Sequence, residues 1–422
     1  MSFLTGLECL RCGSEYPIQM MPRGCPKCLK GKPSNVVCRY DYDRIKKVFG
    51  KELLSGRSGT MWRYRELLPP DEENIVSLGE GMTPLVKCSS LGKSMGLKNL
   101  YVKDESRNPT WSFKDRLASS SVSMALQFGI QTITASSSGN HGAANAAYAA
   151  RAGLDCVIFT VEAFPRTMRT LMQAYGAKVV AAPTARDRWS LQEACVEEFG
   201  WYSNANFTYP PVGYSPYGVD GYKSIAFEIC EQLGWRAPDK LIVPVSSGGS
   251  FYGSWKGFEE FFDLGLISNK PQMVAAEVFG PLKNALTKGL DYVEEVRAAR
   301  TVSFSVGGGS STYQALKVLL ESCGMAETAS DEETMEMQLK LASTEGIYGE
   351  ASGVLPLAVI KKLREMGKID EDEVVVALMT SGGLKDPATT RSYLPDIPLV
   401  DPSLDSLRKG LAEAYGYILP AD

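Results

Sequence analysis

The sequence predicts an α/β protein with two open, mostly parallel sheets flanked by helices, plus a small metal-binding ribbon at the N-terminus. Two observations carry this. Strand-like and helix-like runs alternate from Gln131 to Phe199 and again from Lys223 to Met379, and repeated βα units argue for parallel strands covered by helices. Ahead of them, Cys9-x2-Cys12-x12-Cys25-x2-Cys28 has the spacing of two knuckles that present four thiolates to one ion.

Taken in order, the ribbon occupies residues 1–40, and Gly13 and Gly24 permit its tight turns. Cys9, Cys12, Cys25 and Cys28 are expected to hold a structural zinc with no open ligand position; the alternative is four free thiols. A helix is expected near Asp43–Phe49. Leu78 to Leu85, with two glycines and a proline, reads as a turn before a strand. Leu100–Lys103 reads as a strand and Leu117–Phe128 as a helix. Strands follow at Ile133–Ala135, Asp155–Val161 and Lys178–Ala182, with helices at Ala143–Ala152, Arg166–Tyr175 and Glu193–Phe199. The second set has helices at Lys223–Leu233, Phe251–Phe262, Ser330–Glu345 and Val354–Met366. Its strands are Leu241–Val245, Met273–Glu277 and Val374–Met379. Ser330 and Glu333 have the spacing of a capping box. After Pro387 no pattern is readable. These runs give a large domain from 41–105 and 213–422, and a smaller one from 106–212.

Composition narrows the function. A net charge of −4 over 422 residues gives no support for a nucleic acid or an anionic membrane as partner. No apolar run has membrane-spanning length, and Met1 to Thr5 does not begin a secretory signal. A cytoplasmic protein with reduced cysteines is therefore expected. His141 is the only histidine, so a multi-histidine metal site is excluded and any catalytic triad would have to use it.

Three loops sit where chemistry is expected. Asn108-Pro109-Thr110-Trp111-Ser112-Phe113-Lys114-Asp115-Arg116 joins a strand to a helix. Burial and a helix's positive end both disfavour an ammonium, and the neutral amine is the form that adds to an aldehyde. Ser136 to Gly142 is a polar turn whose N–H groups and hydroxyls suit a carboxylate. Ser246-Ser247-Gly248-Gly249-Ser250 follows an apolar strand and opens a helix, where small residues let the backbone approach a dianion. It is not a Walker loop, because no Gly-Lys-Ser/Thr follows.

N-P-T-x-S-F-K-D-R resembles the lysine segment of threonine synthases, within fold type II of the pyridoxal-phosphate enzymes (a tryptophan synthase β-like fold). Four further segments add to the likeness: Leu78 to Leu85, Ser136 to His141, Ser246 to Ser250 and Thr380 to Pro387. The resemblance implies that pyridoxal phosphate is carried on Lys114 and that Ser246, Ser247, Gly248, Gly249 and Ser250 hold its phosphate. It implies that Asn140 contacts its 3′-oxygen and that Ser137, Ser138, Gly139 and Asn140 bind the substrate carboxylate. Thr380 would face the pyridine nitrogen. A hydroxyl there does not keep that nitrogen protonated, which suits elimination over transamination. Glu350 is a cleft candidate whose alignment is open. A homodimer is also expected.

The chain departs from threonine synthases in ways that bear on substrate. Trp111 stands beside the lysine where that family has glycine, His141 replaces a threonine, and Ser247 and Ser250 replace amide donors. Gly218 replaces the arginine that grips the substrate phosphate, and Gly382 replaces a histidine. Asn140-His141-Gly142 and the serine-glycine loop resemble instead the serine/threonine dehydratase branch. The expected activity is thus β-elimination or β-replacement on a small amino acid whose β-group is uncharged or an amine. Lys114 takes the Cα proton, Trp111 lines the substrate, and His141 is either a general acid or a structural residue. The alternatives are a true threonine synthase and a non-catalytic binding protein on the same fold.

Overall fold

The computed structural model describes residues 2–162 and 165–419. The ribbon is β1 (Leu4–Cys9), β2 (Glu15–Tyr16) and β3 (Val36–Tyr40), antiparallel in the order β2-β1-β3. Two short helices follow, α1 (Tyr42–Val48), capped by Asp41, and α2 (Lys51–Leu54). Strand β4 (Leu85–Lys87), helix α3 (Ser89–Ser94) and strand β5 (Asn99–Asp104) then begin the large sheet.

The chain leaves that sheet through α4 (Lys114–Gln127) and builds a four-stranded one. Its elements are β6 (Thr132–Ser136), α5 (Asn140–Ala152), β7 (Asp155–Val161), α6 (Arg166–Ala174), β8 (Lys178–Ala182), α7 (Ala185–Phe199) and β9 (Tyr202–Ser203). The order is β8-β7-β6-β9, all parallel. Helices α8 (Pro216–Gly221) and α9 (Lys223–Gln232) lead back. Then come β10 (Lys240–Pro244), α10 (Gly249–Asp263), β11 (Gln272–Glu277), α11 (Pro281–Lys288), α12 (Tyr313–Glu321), β12 (Met325–Thr328), α13 (Asp331–Glu345), α14 (Ala351–Glu365) and β13 (Val374–Met379). The large sheet runs β12-β11-β10-β13-β5-β4, parallel except for the β4–β5 pair. The predicted class is therefore the observed one.

Alternation along the central strands fixes which side each residue serves, since successive side chains point to opposite faces. Val376 and Leu378 join the core with Leu241, Val243, Phe227 and Phe258. Val375, Ala377 and Met379 join the opposite core with Ile242, Val359 and Leu355. A third core of small residues, Ala118, Ala143, Ala144 and Ala147 among them, fills the space around the small sheet. Alanines let α4 and α5 approach closely, which is why both helices are buried nearly all round. Val76 packs into this third core although it lies ahead of the large sheet in sequence.

Differences from the sequence reading lie mainly at element starts. Helix α4 begins at Lys114 itself, α5 at Asn140 and α14 at Ala351. Helix α7 starts at Ala185, eight residues earlier than its readable pattern, behind a Thr184/Asp187 capping box. The Ser330/Glu333 box is present. Residues from Asp386 on form a second compact unit with helices α15 (Pro387–Arg391) and α16 (Leu404–Tyr415), where the sequence showed no pattern. Among the described residues no helix is long and apolar enough to cross a membrane.

Candidate active site

Loops at the carboxyl ends of β5, β6, β10 and β13 carry the predicted residues, the usual place for a ligand crevice in open α/β sheets. The turn after β5 delivers Lys114 as the first residue of α4, half-buried. Its Nζ lies 4.3 Å from the centre of the Tyr214 ring, 4.7 Å from that of Phe113 and 5.7 Å from that of Tyr222. Phe113 stacks on Tyr222. Backbone pairing stitches this turn to the end of β13: Phe113 N–H donates to Thr380 O at 2.9 Å, Gly382 N–H donates to Trp111 O at 3.2 Å, and Ser112 bridges Ser381. Thr380 and Lys114 are thus placed together by hydrogen bonds between segments far apart in sequence. Trp111 adopts φ +59° and is 51% exposed. Glycine takes that conformation without strain and an L-residue does not, which explains the family's glycine there.

The loop after β10 is built for an anion. Gly248 has φ +79°, and a Cβ there would come within 2.3 Å of Ala315 Cβ. A Cβ at Gly249 would lie 3.0 Å from the Tyr214 ring. A side chain at Gly248 would collide with α12 and one at Gly249 would press on the Tyr214 ring, so the loop offers bare backbone at the start of the 15-residue helix α10, where free N–H groups and the helix dipole favour a phosphate. Ser246 and Ser247 are half-buried beside it, and Ser250 is buried in the first turn of α10. Ser311 and Thr312 hold the loop by donating to the carbonyls of Ser246 (2.6 Å) and Ser247 (2.7 Å). The cradle and the half-buried lysine fit pyridoxal phosphate.

The turn after β6 positions the third group. Ser137 Oγ accepts from Gly139 and Gly142 N–H and caps α5. Asn140 is already engaged: it donates to Glu350 (2.9 Å) and accepts from Lys385 Nζ (2.6 Å). Glu350 also accepts from the hydroxyls of Ser305 and Ser381, so this carboxylate anchors three site segments rather than standing free. Burial lowers Lys385 to about 8 against the pull of Asp115 and Glu350. Burial pushes Asp115, which accepts from Thr110 N–H, up to about 7.

His141 is buried, with Nε2 3.1 Å from Asn204 and 3.0 Å from Asn145, and its Nδ1 has no partner. Burial and the nearby Lys114 charge hold it well below the usual imidazole range, so the ring is neutral near pH 7. Its centroid lies 5.0 Å from that of Tyr214. Burial pushes the Tyr214 phenol up, but Lys114, a bond from Ser247 and Arg188 together bring it below the ordinary tyrosine value. Arg188 Nη1 donates to Ser138 Oγ at 3.0 Å, and Ser138 pairs with Thr160 at 2.9 Å. Gly139 faces Phe304: a Cβ there would lie 3.7 Å from that ring. Sequence reading missed Tyr214, Arg188, Ser305, Ser311 and Thr312. Only the run Gly307-Gly308-Gly309-Ser310-Ser311 was a visible signal.

At the other end of the chain the four predicted cysteines converge. Their sulfurs lie within 4.8 Å of one another, with Cys9–Cys28 and Cys12–Cys25 each at 3.7 Å. A tetrahedral zinc with bonds of about 2.3 Å has edges of roughly 3.8 Å, so the cage fits that ion. Gly13 (φ +66°) and Gly24 (φ +70°) make the turns, and Arg11 N–H points at Cys9 Sγ.

A scaffold that gathers a lysine and a side-chain-free anion loop at its strand ends is that of a fold type II pyridoxal-phosphate enzyme. Residues 76–381 match the model of the family described as pyridoxal-phosphate dependent enzyme, and the chain belongs to that family. The chain is similar to threonine synthase of Methanocaldococcus jannaschii, 37% identical over 90% of this chain and 93% of the relative. It is also similar to threonine synthase of Methanosarcina acetivorans, 34% identical over 96% and 98%. Among solved structures, maize serine racemase shares the fold with TM-score 0.64 and 20% identity, over 74% of this chain and 91% of that one. Diaminopropionate ammonia lyase from Escherichia coli gives TM-score 0.64 and 19% identity, over 75% and 88%.

Proposed function

We propose that the protein is a pyridoxal-phosphate-dependent lyase of the threonine synthase/dehydratase type, acting on a small amino acid by β-elimination or β-replacement. The observation that supports it best is the backbone stitching of Phe113 to Thr380, which sets Lys114 and the strand end Thr380–Ser381 side by side. When bound, pyridoxal phosphate acts as an electron sink that acidifies the substrate Cα proton. Lys114 would hold the cofactor, and its amine, at the start of α4, would be the base for that proton. The loop from Ser137 to Asn140 binds the α-carboxylate, with Ser137 Oγ fixing its backbone. The Gly248–Gly249 backbone would hold the cofactor phosphate, and Asn140, oriented by Glu350 and Lys385, would be a further polar contact to it. Thr380 would offer the cofactor ring a hydroxyl rather than a carboxylate, which favours elimination. His141 stays neutral and orients the start of α5 through Asn145 and Asn204. Zinc in the cysteine cage is structural.

A second reading, a true threonine synthase acting on O-phosphohomoserine, is favoured by the names of the relatives. Against it stands Gly218 at the family's phosphate-gripping position, where a Cβ would come within 2.9 Å of Leu117 Cγ, so any side chain there would have to displace Leu117. Purified protein given the cofactor should show the visible absorbance of lysine-bound pyridoxal, and borohydride should fix it to Lys114. A screen following ammonia, phosphate and keto acid then separates the readings. Labelling at another lysine, or no absorbance, would defeat the proposal. Threonine formed from O-phosphohomoserine with the highest kcat/KM would favour the second reading.

A further inference from the structure

The cysteine ribbon and the cofactor cleft meet at one buried side chain. Asn35 lies immediately before β3, and main-chain bonds from both cysteine knuckles fix the chain there. Cys25 N–H donates to Ser34 O at 2.9 Å, Leu10 N–H donates to Asn35 O at 3.2 Å, and Val36 pairs with Cys9 across β3 and β1. The Asn35 amide is fully used. Its Oδ1 accepts from Val36 N–H at 3.0 Å, and its Nδ2 donates to Tyr214 O at 2.8 Å and to Gln314 Oε1 at 3.1 Å. Asn35 and Gln314 are both buried. A buried amide whose two N–H groups and oxygen all have partners specifies one geometry, and water does not replace those bonds.

Both acceptors belong to segments that build the cleft. The centre of the Tyr214 ring lies 4.3 Å from Lys114 Nζ, and the ring packs on Gly249. Gln314 is in the first turn of α12, between two residues that shape the anion loop: Thr312, which donates to Ser247 O, and Ala315, which faces Gly248. A second contact from the ribbon reaches the same turn. Arg11, whose N–H points at Cys9 Sγ, places its guanidinium 3.6 Å from the centre of the Tyr313 ring, a cation–π contact. The ribbon thus grips two consecutive residues of α12 and the main chain of Tyr214, while the cleft uses the other sides of the same segments.

Without an ion, four thiols have nothing to hold the two knuckles together, and ribbons of this kind fold on their metal. We propose that Asn35 is a positioning residue for the cofactor site, through which metal occupancy of the Cys9, Cys12, Cys25 and Cys28 cage sets how tightly the Gly248 loop and the Lys114 turn hold pyridoxal phosphate. The ion stays outside the chemistry. Its binding and the cofactor's are linked, and such linkage works equally in both directions. The inference rests on the assignment of the cofactor to this cleft and is independent of the substrate.

The test uses the full-length, zinc-loaded chain as wild type and Asn35→Ala, the cage variant Cys9→Ser/Cys28→Ser, and the combination. Lys32→Ala is the control within the ribbon, since Lys32 bonds Asp291 instead. Cofactor affinity is read from the absorbance of lysine-bound pyridoxal. Asn35→Ala, with its zinc retained, should raise the cofactor Kd about 10-fold. The cage variant should raise it by about 10-fold or more, and the combination should be no worse than the cage variant, because the link is already cut. Lys32→Ala should match wild type. Reciprocally, bound cofactor should raise the chelator concentration needed to strip zinc from wild type, and do so less in Asn35→Ala. A wild-type Kd in Asn35→Ala overturns the proposal. So do effects that multiply in the combination, which would make Asn35 and the cage independent. If the cage variant does not fold, the Kd of Asn35→Ala and the chelator titration decide on the zinc-loaded chain. Hydrogen exchange of the cofactor-free protein gives a readout apart from the cofactor: amides around Tyr214 and Gly248–Gly249 should exchange faster in Asn35→Ala than in wild type, and equal exchange overturns the coupling. Should wild type show no cofactor absorbance, the function proposed above fails, and exchange at these amides alone decides whether the ribbon sets the cleft.

Discussion

Replacing Gly248 by alanine tests whether the anion loop is shaped by sterics or only by composition. Two costs add. Position 248 sits at φ +79°, where an L-residue is disfavoured by about 1–2 kcal/mol. The new methyl would also lie 2.3 Å from Ala315 Cβ and 3.2 Å from its Cα, so α10 or α12 must shift, which costs about 1–3 kcal/mol for an overpacked site. The expected loss is thus about 2–5 kcal/mol, read by urea denaturation, with cofactor affinity weakened because the loop backbone is displaced. The steric share can be separated. Ala315→Gly alone costs about 1 kcal/mol as a helix glycine. The double variant should be better than the sum of the singles by about 1–2 kcal/mol, since the colliding methyl is gone and only the dihedral strain remains. Strict additivity would show that Ala315 does not limit the loop, and an unaltered cofactor affinity in Gly248→Ala would refute its role as a cradle.

Other perturbations have equally definite outcomes. His141 is held below its unfolded value, so the unfolded chain binds the extra proton below pH about 6.5 and stability must rise with pH towards that point, by up to about 1.4 kcal/mol per unit. Asp115, raised to about 7, acts in the opposite sense between about pH 4 and 7. The wild-type curve is therefore flattened, and the His141→Asn variant should show a more negative slope with pH than wild type in that window; parallel curves would place the histidine in solvent. Arg116→Met leaves Glu105 and Glu228 buried and short of a partner, and should cost about 3–5 kcal/mol in denaturant melts. Metal analysis should find one zinc per chain that is lost in the Cys9→Ser/Cys28→Ser variant, with a lower Tm. Turnover vanishing on chelation while the melt is unchanged would contradict a purely structural ion.

The sequence carried the fold well because its signals are repetitive. Val374–Met379 declares its two buried faces by hydrophobic content, and Ser330/Glu333 announces a helix start by spacing alone. The lysine turn, the glycine loop and the cysteine knuckles are local, so their residues are neighbours in the chain and readable there. What stayed hidden is non-local or solitary. Arg188 is one charged residue among exposed ones at the start of α7, with nothing in the chain to say that its guanidinium reaches Ser138 in the loop after β6. Tyr214 stands between a proline-rich loop and α8, and only packing brings it to Lys114. Glu350 could be placed in the cleft, but its grip on Asn140, Ser305 and Ser381 depends on three segments that meet only in the folded molecule.

The position of β13 has a consequence for how the molecule comes into being. It is the last strand of the large sheet to be synthesised, yet it lies in the middle, pairing with β5 on one side and β10 on the other. A nascent chain that has not reached Val374 therefore holds two half-sheets with open edges, the kind of surface that invites wrong pairing. It also lacks Thr380 and the backbone partners of the lysine turn. Insertion of this single late strand therefore closes the sheet and, in the same event, fastens the turn of Lys114 to the strand end at Thr380 and Ser381.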